Sequence, residues 1–253
     1  MTNSQSQFAS KAYVVTGGAS GIGLSVAQRL LELSAIVHVV DITSTAPTFE
    51  AISSSGRIHF HLSTDVSSRE SVKRAFQSIL EISPRLHGLV ACAGISSLSL
   101  STIDSDESFD RVMAVNVRGT WNAGTDFPDT GDFTEGLGSL VTTGSTASFQ
   151  AGARIAAYCT SKHAIVGLTK AWAQDFASKG VRVNCVAPGL TDTPALKAYG
   201  HAMPADVINH FLQGVPMKRL ALGSEIAEAV VFLLGSGSSF MTGQIIPING
   251  GAV

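Results

Sequence analysis

An α/β protein built on one parallel, doubly wound sheet is the fold class the sequence predicts. Three observations predict it. Short apolar runs rich in β-branched residues recur along the chain, segments of helical periodicity alternate with them, and a glycine turn joins the first run to the first helix. Strands alternating with crossover helices give a parallel sheet with helices on both faces. At 253 residues the chain has the size of one domain, and 45% hydrophobic against 14% charged residues supplies a large core. No internal repeat or linker interrupts the rhythm. The expected organisation is a disordered polar tail over residues 1–8 and one domain over residues 9–253.

The first strand is expected at Ala12–Thr16, followed by Thr16-Gly17-Gly18-Ala19-Ser20-Gly21-Ile22-Gly23. Ile22, Val26, Leu30 and Leu33 then recur at spacings of three and four, one apolar helical face. Strand, glycine turn and helix form the phosphate-cradling unit of a Rossmann-type dinucleotide fold. The glycines allow a tight turn and close backbone approach, and the helix N-terminus offers free N–H groups to a pyrophosphate. Gly17, Ser20, Gly21, Ile22 and Gly23 are its candidate contacts. A second strand, Ala35–Val40, ends at Asp41, whose carboxylate can accept from two ribose hydroxyls and repels a 2′-phosphate. No Lys or Arg stands at Gly18, Ala19, Ser20 or Ile42, or over residues 43–56, so Asp41 and Ile42 point to NAD(H) as cofactor. Further strands are expected at Ile58–Leu62, Leu89–Ala91 (opening from Gly88), Ser139–Thr143, Val181–Val186 and Gln244–Ile248.

Tyr158 and Lys162, four residues apart, carry the chemistry. A phenol is a weak acid with a reference pKa of about 10. An ammonium one helical turn away shares its face and favours the phenolate. The spacing alone arises often by chance; the unit upstream gives it meaning.

With these pieces in place, the chain resembles a short-chain dehydrogenase/reductase from about Ala9 to Gly251. Thr16, Gly17, Gly21 and Gly23 match the family's glycine motif, and Asp65, followed by Val66, its adenine-contacting aspartate. Asn116 in Asn116-Val117-Arg118-Gly119 matches its asparagine, and Ser145, 13 residues before Tyr158, its serine. Pro188-Gly189-Leu190-Thr191-Asp192-Thr193 matches the segment that grips the nicotinamide amide, which makes Pro188, Gly189, Leu190 and Thr193 cofactor contacts. Thr242-Gly243-Gln244 and Asn249-Gly250-Gly251 resemble its closing strand.

The resemblance implies hydride transfer between a carbinol carbon and C4 of nicotinamide, with Asn116, Ser145, Tyr158 and Lys162 as catalytic residues. Tyr158 as phenolate takes the alcohol proton. Lys162 favours that phenolate and hydrogen-bonds the nicotinamide ribose. Ser145 holds the substrate oxygen and stabilises developing charge. Asn116 positions a water that links Lys162 to solvent.

The chain departs from the family in two places. Ala91-Cys92-Ala93-Gly94 stands where Asn-Asn-Ala-Gly is usual. Cys92, Ala93 and Gly94 are expected to line the cofactor through their backbone, with ~1 kcal/mol lost for each missing side-chain hydrogen bond. Cys92 reads as a small buried hydrophobe. Secondly, Gly124–Gly138 carries Asp126, Asp129, Asp132 and Glu135 with Pro128 and no basic residue, which predicts an early helix end, an acidic surface loop and an altered subunit interface.

A formal net charge of −2 without basic clusters argues against a nucleic-acid partner. Cysteines 92, 159 and 185 have neither metal-ligand spacing nor even number, which suits a reducing compartment, and no metal site is expected. His59 and His61 share a strand face and read as structural, and His163 as a packed or capping side chain. Met1–Gln7 lacks the features of a signal peptide and no apolar run reaches 18 residues, so the expected place is the cytoplasm, without membrane contact.

The substrate pocket is expected at the carboxyl ends of the strands, walled by Gly94–Leu98, Ser145–Gly152 and an apolar lid over residues 190–214 with Gly200 and Pro204 as hinge points. Ser96, Ser145, Gln150, Tyr158, Leu196 and Phe211 are the candidate substrate contacts, and Arg154 the one basic residue near the walls. The expected partner is a small uncharged or apolar secondary alcohol or ketone. The family resemblance implies a homo-oligomer, a tetramer or a dimer. Ala164, Leu168 and Trp172 form a stripe that faces either another subunit or the chain's own sheet. Two other readings stand beside the dehydrogenase: a non-redox lyase or epimerase on the same fold, and a catalytically silent NAD-binding scaffold or sensor. A sensor needs only the glycine turn and Asp41, so retention of all four catalytic residues speaks against it.

Overall fold

The computed structural model describes residues 7–47, 56–96, 104–133, 138–197 and 212–252. β1 (Ala12–Thr16) is buried along its length because successive side chains reach opposite faces of the sheet and helices cover both. Ala12 and Val14 enter one core, Tyr13 and Val15 the other. The same logic sets β2 (Ile36–Val40), β4 (Gly88–Ala91), β5 (Gly138–Thr143) and β6 (Val181–Pro188). β3 (Ile58–His61) and β7 (Ile245–Ile248) are the edges, and Pro247 sits where a missing backbone donor costs least. Every pairing is parallel, in the order β3-β2-β1-β4-β5-β6-β7. All seven expected strands form, with ends shifted by at most two residues.

α1 (Gly21–Glu32) buries Val26, Ala27 and Leu30 on one face of the sheet beside α6 (Gly223–Leu234). The opposite face carries α2 (Arg69–Ile82), α4 (Gly119–Asp126) and the long α5 (Ala156–Ala177). α3 (Asp106–Met113) runs through a π-helical turn (Ala114–Arg118) into α4. β1 pairs with both β2 and β4, so the strand order reverses between β1 and β4 and a crevice opens at their carboxyl ends.

One expectation needs correction, and two are made more definite. Gln7 and Phe8 belong to the body, not to the tail. Phe8 is 1% exposed in the α1/α6 core, and Gln7 Oε1 accepts from the Ser236 N–H at 2.9 Å. A single large apolar side chain, once buried, holds the segment that small polar neighbours would leave loose. α4 does stop early, but the acids that follow are engaged: Asp126 pairs with Arg69 and Asp129 with Lys179, while Phe127 and Phe133 are buried. Glu135 lies outside the described residues. Trp172 faces the chain's own sheet, stacked on Phe176 and tilted against Trp121, each at 5.8 Å between centroids. Among the described residues no helix is long and apolar enough to cross a membrane, and no three His, Cys, Asp or Glu side chains gather as a metal site.

His59 and His61 are part of a larger arrangement. His38 is fully buried on β2, its Nδ1 3.1 Å from His61 Nε2 and its Nε2 2.9 Å from Ser83 Oγ, with the His59 ring stacked at 5.0 Å. Burial, reinforced by His61 and His59, pushes His38 down to about 3, and burial also lowers His61. His87, whose Nδ1 accepts from the Ala12 N–H at 3.2 Å, is pushed down to about 4 by burial and by Arg85 and Lys11. His38 and His87 stay neutral in the folded chain while the unfolded chain protonates below about pH 6.5. Their contribution is therefore complete above about pH 6.5 and is lost as the pH falls toward about 4 for His87 and about 3 for His38. Between pH 6.5 and 5, before most carboxylates titrate, we expect the unfolding free energy in urea to drop by about 1.4 kcal/mol per pH unit at most for each such histidine. NMR should find His38 and His87 still neutral at pH 5.5; a protonated His38 there would contradict this account.

Candidate functional site

The crevice begins where two turns meet. Gly17 follows β1 at φ +67°, and a Cβ on it would lie 2.7 Å from Ala93 Cα. A Cβ on Gly23 would lie 2.2 Å from the Gly17 carbonyl oxygen. Only glycine lets the first turn of α1 come this near the strand end. Thr16 Oγ1 accepts from the N–H groups of Cys92 (3.1 Å) and Ala93 (3.2 Å), which ties the turn after β1 to the turn after β4.

At one end of the crevice stands Asp41. Its carboxylate accepts from the Ala19 N–H at 3.0 Å and the Thr43 N–H at 3.1 Å, which fixes it against the glycine turn. Ile42 beside it is exposed. Asp65, past β3, accepts at one oxygen from both the N–H and the hydroxyl of Ser67, at 2.9 and 2.7 Å.

At the other end α5 presents Tyr158 and Lys162. Asp104 Oδ2 accepts from the Ala157 N–H at 2.9 Å and so anchors the first turn of α5. Lys162 is 6% exposed, its Nζ 5.6 Å from the Tyr158 ring centroid and donating to the Thr143 carbonyl at 2.8 Å. It pairs with no carboxylate among the described residues. Ser145 ends the strand segment from β5; its Oγ accepts from the Ala147 N–H at 3.1 Å, which leaves the hydroxyl hydrogen for another partner. Asn116 sits in the π-helical turn, 1% exposed. Its Oδ1 accepts from the Ile95 N–H (2.8 Å), and its Nδ2 donates to the Ile95 carbonyl and to Ser161 Oγ, both at 2.9 Å. Burial pushes the Cys92 thiol up, only partly offset by Thr143 and Lys162, which suits a packing group and not a nucleophile.

These residues surround one cavity of about 830 Å³. Gly17, Ser20, Gly21, Ile22, Gly23, Asp41, Ile42, Asp65, Val66, Cys92, Ala93 and Gly94 line it on the β1–β4 side. Ser145, Tyr158, Lys162, Pro188, Gly189, Leu190 and Thr193 line it on the β5–β6 side. Ser96, Gln150 and Leu196 lie on its walls. Asn116 is behind the wall, and Phe211, with Gly200, Pro204 and most of the expected lid, lies outside the described residues. The sequence reading missed Arg111 and Val115, which reach the cavity from α3 and the π-helical turn, and Thr143 and Val215. Arg111 and Val115 are four apart and could have been found as one helical face once Asn116 was placed. Arg111, and not Arg154, is the arginine on the wall.

A seven-stranded parallel sheet with a glycine turn at its switch point, and a serine, tyrosine and lysine facing one cavity, defines a dinucleotide-dependent oxidoreductase architecture. The sequence profile of the family described as enoyl-(acyl carrier protein) reductase matches residues 17–253. The chain is similar to 2-(S)-hydroxypropyl-CoM dehydrogenase 3 of Xanthobacter autotrophicus, 34% identical, with 94% of each chain covered. It is also similar to the 3-oxoacyl-[acyl-carrier-protein] reductase FabG of Thermotoga maritima, 30% identical over 96% of this chain and 98% of that one. The crystal structure of levodione reductase superimposes with a TM-score of 0.89 at 27% identity, covering 96% of this chain and 98% of the other. The chain belongs to the short-chain dehydrogenase/reductase family and is an oxidoreductase of that family. Members use nicotinamide cofactors, and the residues present fit one: the glycine cradle that a Cβ would fill, the N-terminus of α1 beyond it, and a carboxylate held at the ribose end.

Proposed function

We propose that the protein is an NAD(H)-dependent alcohol dehydrogenase or ketoreductase that interconverts an uncharged or apolar secondary alcohol and its ketone. The observation that carries this reading is the buried Lys162 ammonium, with no carboxylate paired to it among the described residues, beside the Tyr158 ring at the cavity. A cation held in the wall there stabilises negative charge that develops on the reacting oxygens as the proton moves. In the oxidation direction the Tyr158 phenolate takes the alcohol proton. Ser145 donates its remaining hydroxyl hydrogen to the substrate oxygen and stabilises the charge that develops there. Lys162 gives one N–H to Thr143 and keeps two for the cofactor ribose and a water. Asn116 uses its whole side-chain amide on Ile95 and Ser161, and its backbone carbonyl accepts from Thr120 Oγ1 at 2.7 Å. The bound nicotinamide supplies the acceptor or donor of hydride.

Asp41 supports NAD(H). The Ala19 N–H of the glycine turn holds one of its oxygens and the Thr43 N–H the other, which suits a carboxylate that accepts from a ribose 2′-hydroxyl, and the sequence at 18–20 and 42–56 offers no Lys or Arg to neutralise a 2′-phosphate. The substrate class follows from Ile95, Ile155, Leu196 and Val215 on the walls, with Arg111 the arginine there. We infer a cytoplasmic enzyme from its three free cysteines. We infer a homo-oligomer, a tetramer or a dimer, from the exposure of the large apolar Phe232 on α6 and Phe240 beyond it.

NADH absorbance with NAD and a panel of aliphatic, cyclic, aryl and steroid-like secondary alcohols tests the activity. Turnover by the wild type should fall about 10²–10⁴-fold in Tyr158→Phe and about 10²–10³-fold in Ser145→Ala; equal rates in wild type and Tyr158→Phe would overturn the mechanism. Asp41→Ala combined with Ile42→Arg should shift preference toward NADP, and a wild type that binds NADPH as tightly as NADH would sink the charge argument. Sedimentation at micromolar concentration should find more than one subunit; a monomer throughout would refute the oligomer.

A further inference from the structure

Ser145 and Lys162 reach the cavity from different elements, one from just past β5 and one from the second turn of α5. For the Ser145 hydroxyl to meet the substrate oxygen while Tyr158 and Lys162 on α5 meet the alcohol proton and the cofactor ribose, the offset between these elements must be fixed to a fraction of an ångström. Dispersion contacts between the elements are not directional, so hydrogen bonds set the offset. Thr142 Oγ1 lies 2.7 Å from Thr169 Oγ1, and Lys162 Nζ donates to the Thr143 carbonyl at 2.8 Å.

A further directional link holds the Ser145 turn itself. Ser148, 4% exposed, lies behind the cavity wall and not on it. Its Oγ accepts from the Ser145 N–H at 3.1 Å and donates to the Lys162 carbonyl at 2.8 Å. Its own N–H donates to the Ser145 carbonyl at 2.8 Å, so both backbone groups of Ser145 are held by one residue. With the Ala147 N–H on Ser145 Oγ, the rotamer of the Ser145 hydroxyl is set as well. The space for this bridge exists because residue 144 is glycine: a Cβ there would fall 2.9 Å from Ser148 Oγ and 2.9 Å from Cys185 Sγ. The hydroxyl therefore fills a slot of its own shape, between two backbone groups that differ in sequence by 17 positions (162 − 145).

We propose that Ser148 is a positioning residue of this reaction, whose hydroxyl sets the Ser145 turn against the Lys162 turn of α5. The inference rests on the dehydrogenase reading above. It takes no part in binding the cofactor, since Ser148 does not reach the cavity, and it acts through Ser145 and not beside it.

The test is a double-mutant cycle with Ser148→Ala, Ser145→Ala and the pair, on the panel alcohol that the wild type oxidises fastest, with each rate scaled to the NADH-binding stoichiometry so that unfolded protein does not count. In Ser148→Ala we expect kcat to fall about 10–50-fold, with KM and the NADH Kd changed less than threefold. In the Ser145→Ala background the same substitution should change kcat less than twofold. Ser148→Thr, which keeps the hydroxyl, should recover most of the rate. A loss in the pair equal to the product of the two single losses would overturn the proposal, as would a Ser148→Ala enzyme with wild-type kcat beside an impaired Ser145→Ala. A fully active Ser145→Ala would overturn the dehydrogenase reading of the site and this proposal together. Amide hydrogen exchange needs no substrate: Ser148→Ala should accelerate exchange of residues 144–149 at least tenfold while α1 and β1 keep wild-type protection. Unchanged protection over 144–149 would refute the bridge.

Discussion

The structure turns on the contact between the turn after β1 and the turn after β4. At this point strand order reverses, and beyond the last ladder pair the Thr16 hydroxyl ties the two turns together by accepting from two successive N–H groups. Gly17 is pressed against Ala93 there, closer than any side chain would allow. From this contact the geometry is handed on by hydrogen bonds. The chain leaving Gly94 is clamped at Ile95 by the Asn116 amide, Asn116 donates to Ser161, and Ser161 donates to the Tyr158 carbonyl at 2.7 Å. The cofactor cradle and the first turn of α5 are thus ends of one polar chain. Each link is buried or partly so, where a directional bond is stronger than in water and an unmade one is costly.

This arrangement explains how the chain manages with Ala91-Cys92-Ala93-Gly94. The expected loss was a set of side-chain hydrogen bonds from the missing asparagines. The backbone of this turn is held instead from outside, by Thr16 on one side and Asn116 on the other, and the residues at 91–93 have only to be small. A Cβ on Gly94 would approach Asn116 Oδ1 to 3.2 Å and Lys162 Nζ to 3.6 Å, so the close approach survives at the one position where it touches the chemistry. Cys92 is compatible with this because a protonated thiol packs as a small apolar group.

Strand positions and the parallel sheet were legible because strands covered on both faces read as unbroken apolar runs, and their boundaries moved by no more than two residues. The cradle and the Tyr158–Lys162 pair were legible for a different reason: each lies within one short stretch of chain whose local geometry makes the site. What escaped the sequence depends on distant segments. His38 meets His61 and Ser83 across 23 and 45 residues, and nothing in a lone strand histidine announces them. Arg111 reaches the cavity from α3, a helix whose placement over the sheet no local pattern gives. Phe8 was hidden in a small polar stretch, and its burial depends on α1 and α6 having already packed. Trp172 was read with two possible neighbours, and the choice was settled by Trp121 and Phe176, whose rings stack only in the folded chain.

The charges along α5 follow one order. Asp104 takes the Ala157 N–H at the helix start, Tyr158 stands in the first turn, and Lys162 one turn further in. The exposed N–H groups of a helix start carry partial positive charge, so the helix start and the ammonium carry charge of the same sign on either side of Tyr158. A carboxylate bonded directly to Lys162 would stabilise the apoprotein, since a buried unpaired cation is among the costliest groups a fold can hold. It would also cancel the field at Tyr158. The neutral Thr143 carbonyl is the compromise: it satisfies one N–H of the ammonium and directs Nζ toward the cavity without removing its charge. In the proposed mechanism that retained charge is what Lys162 brings to the cofactor ribose and to the oxygen chemistry at Tyr158.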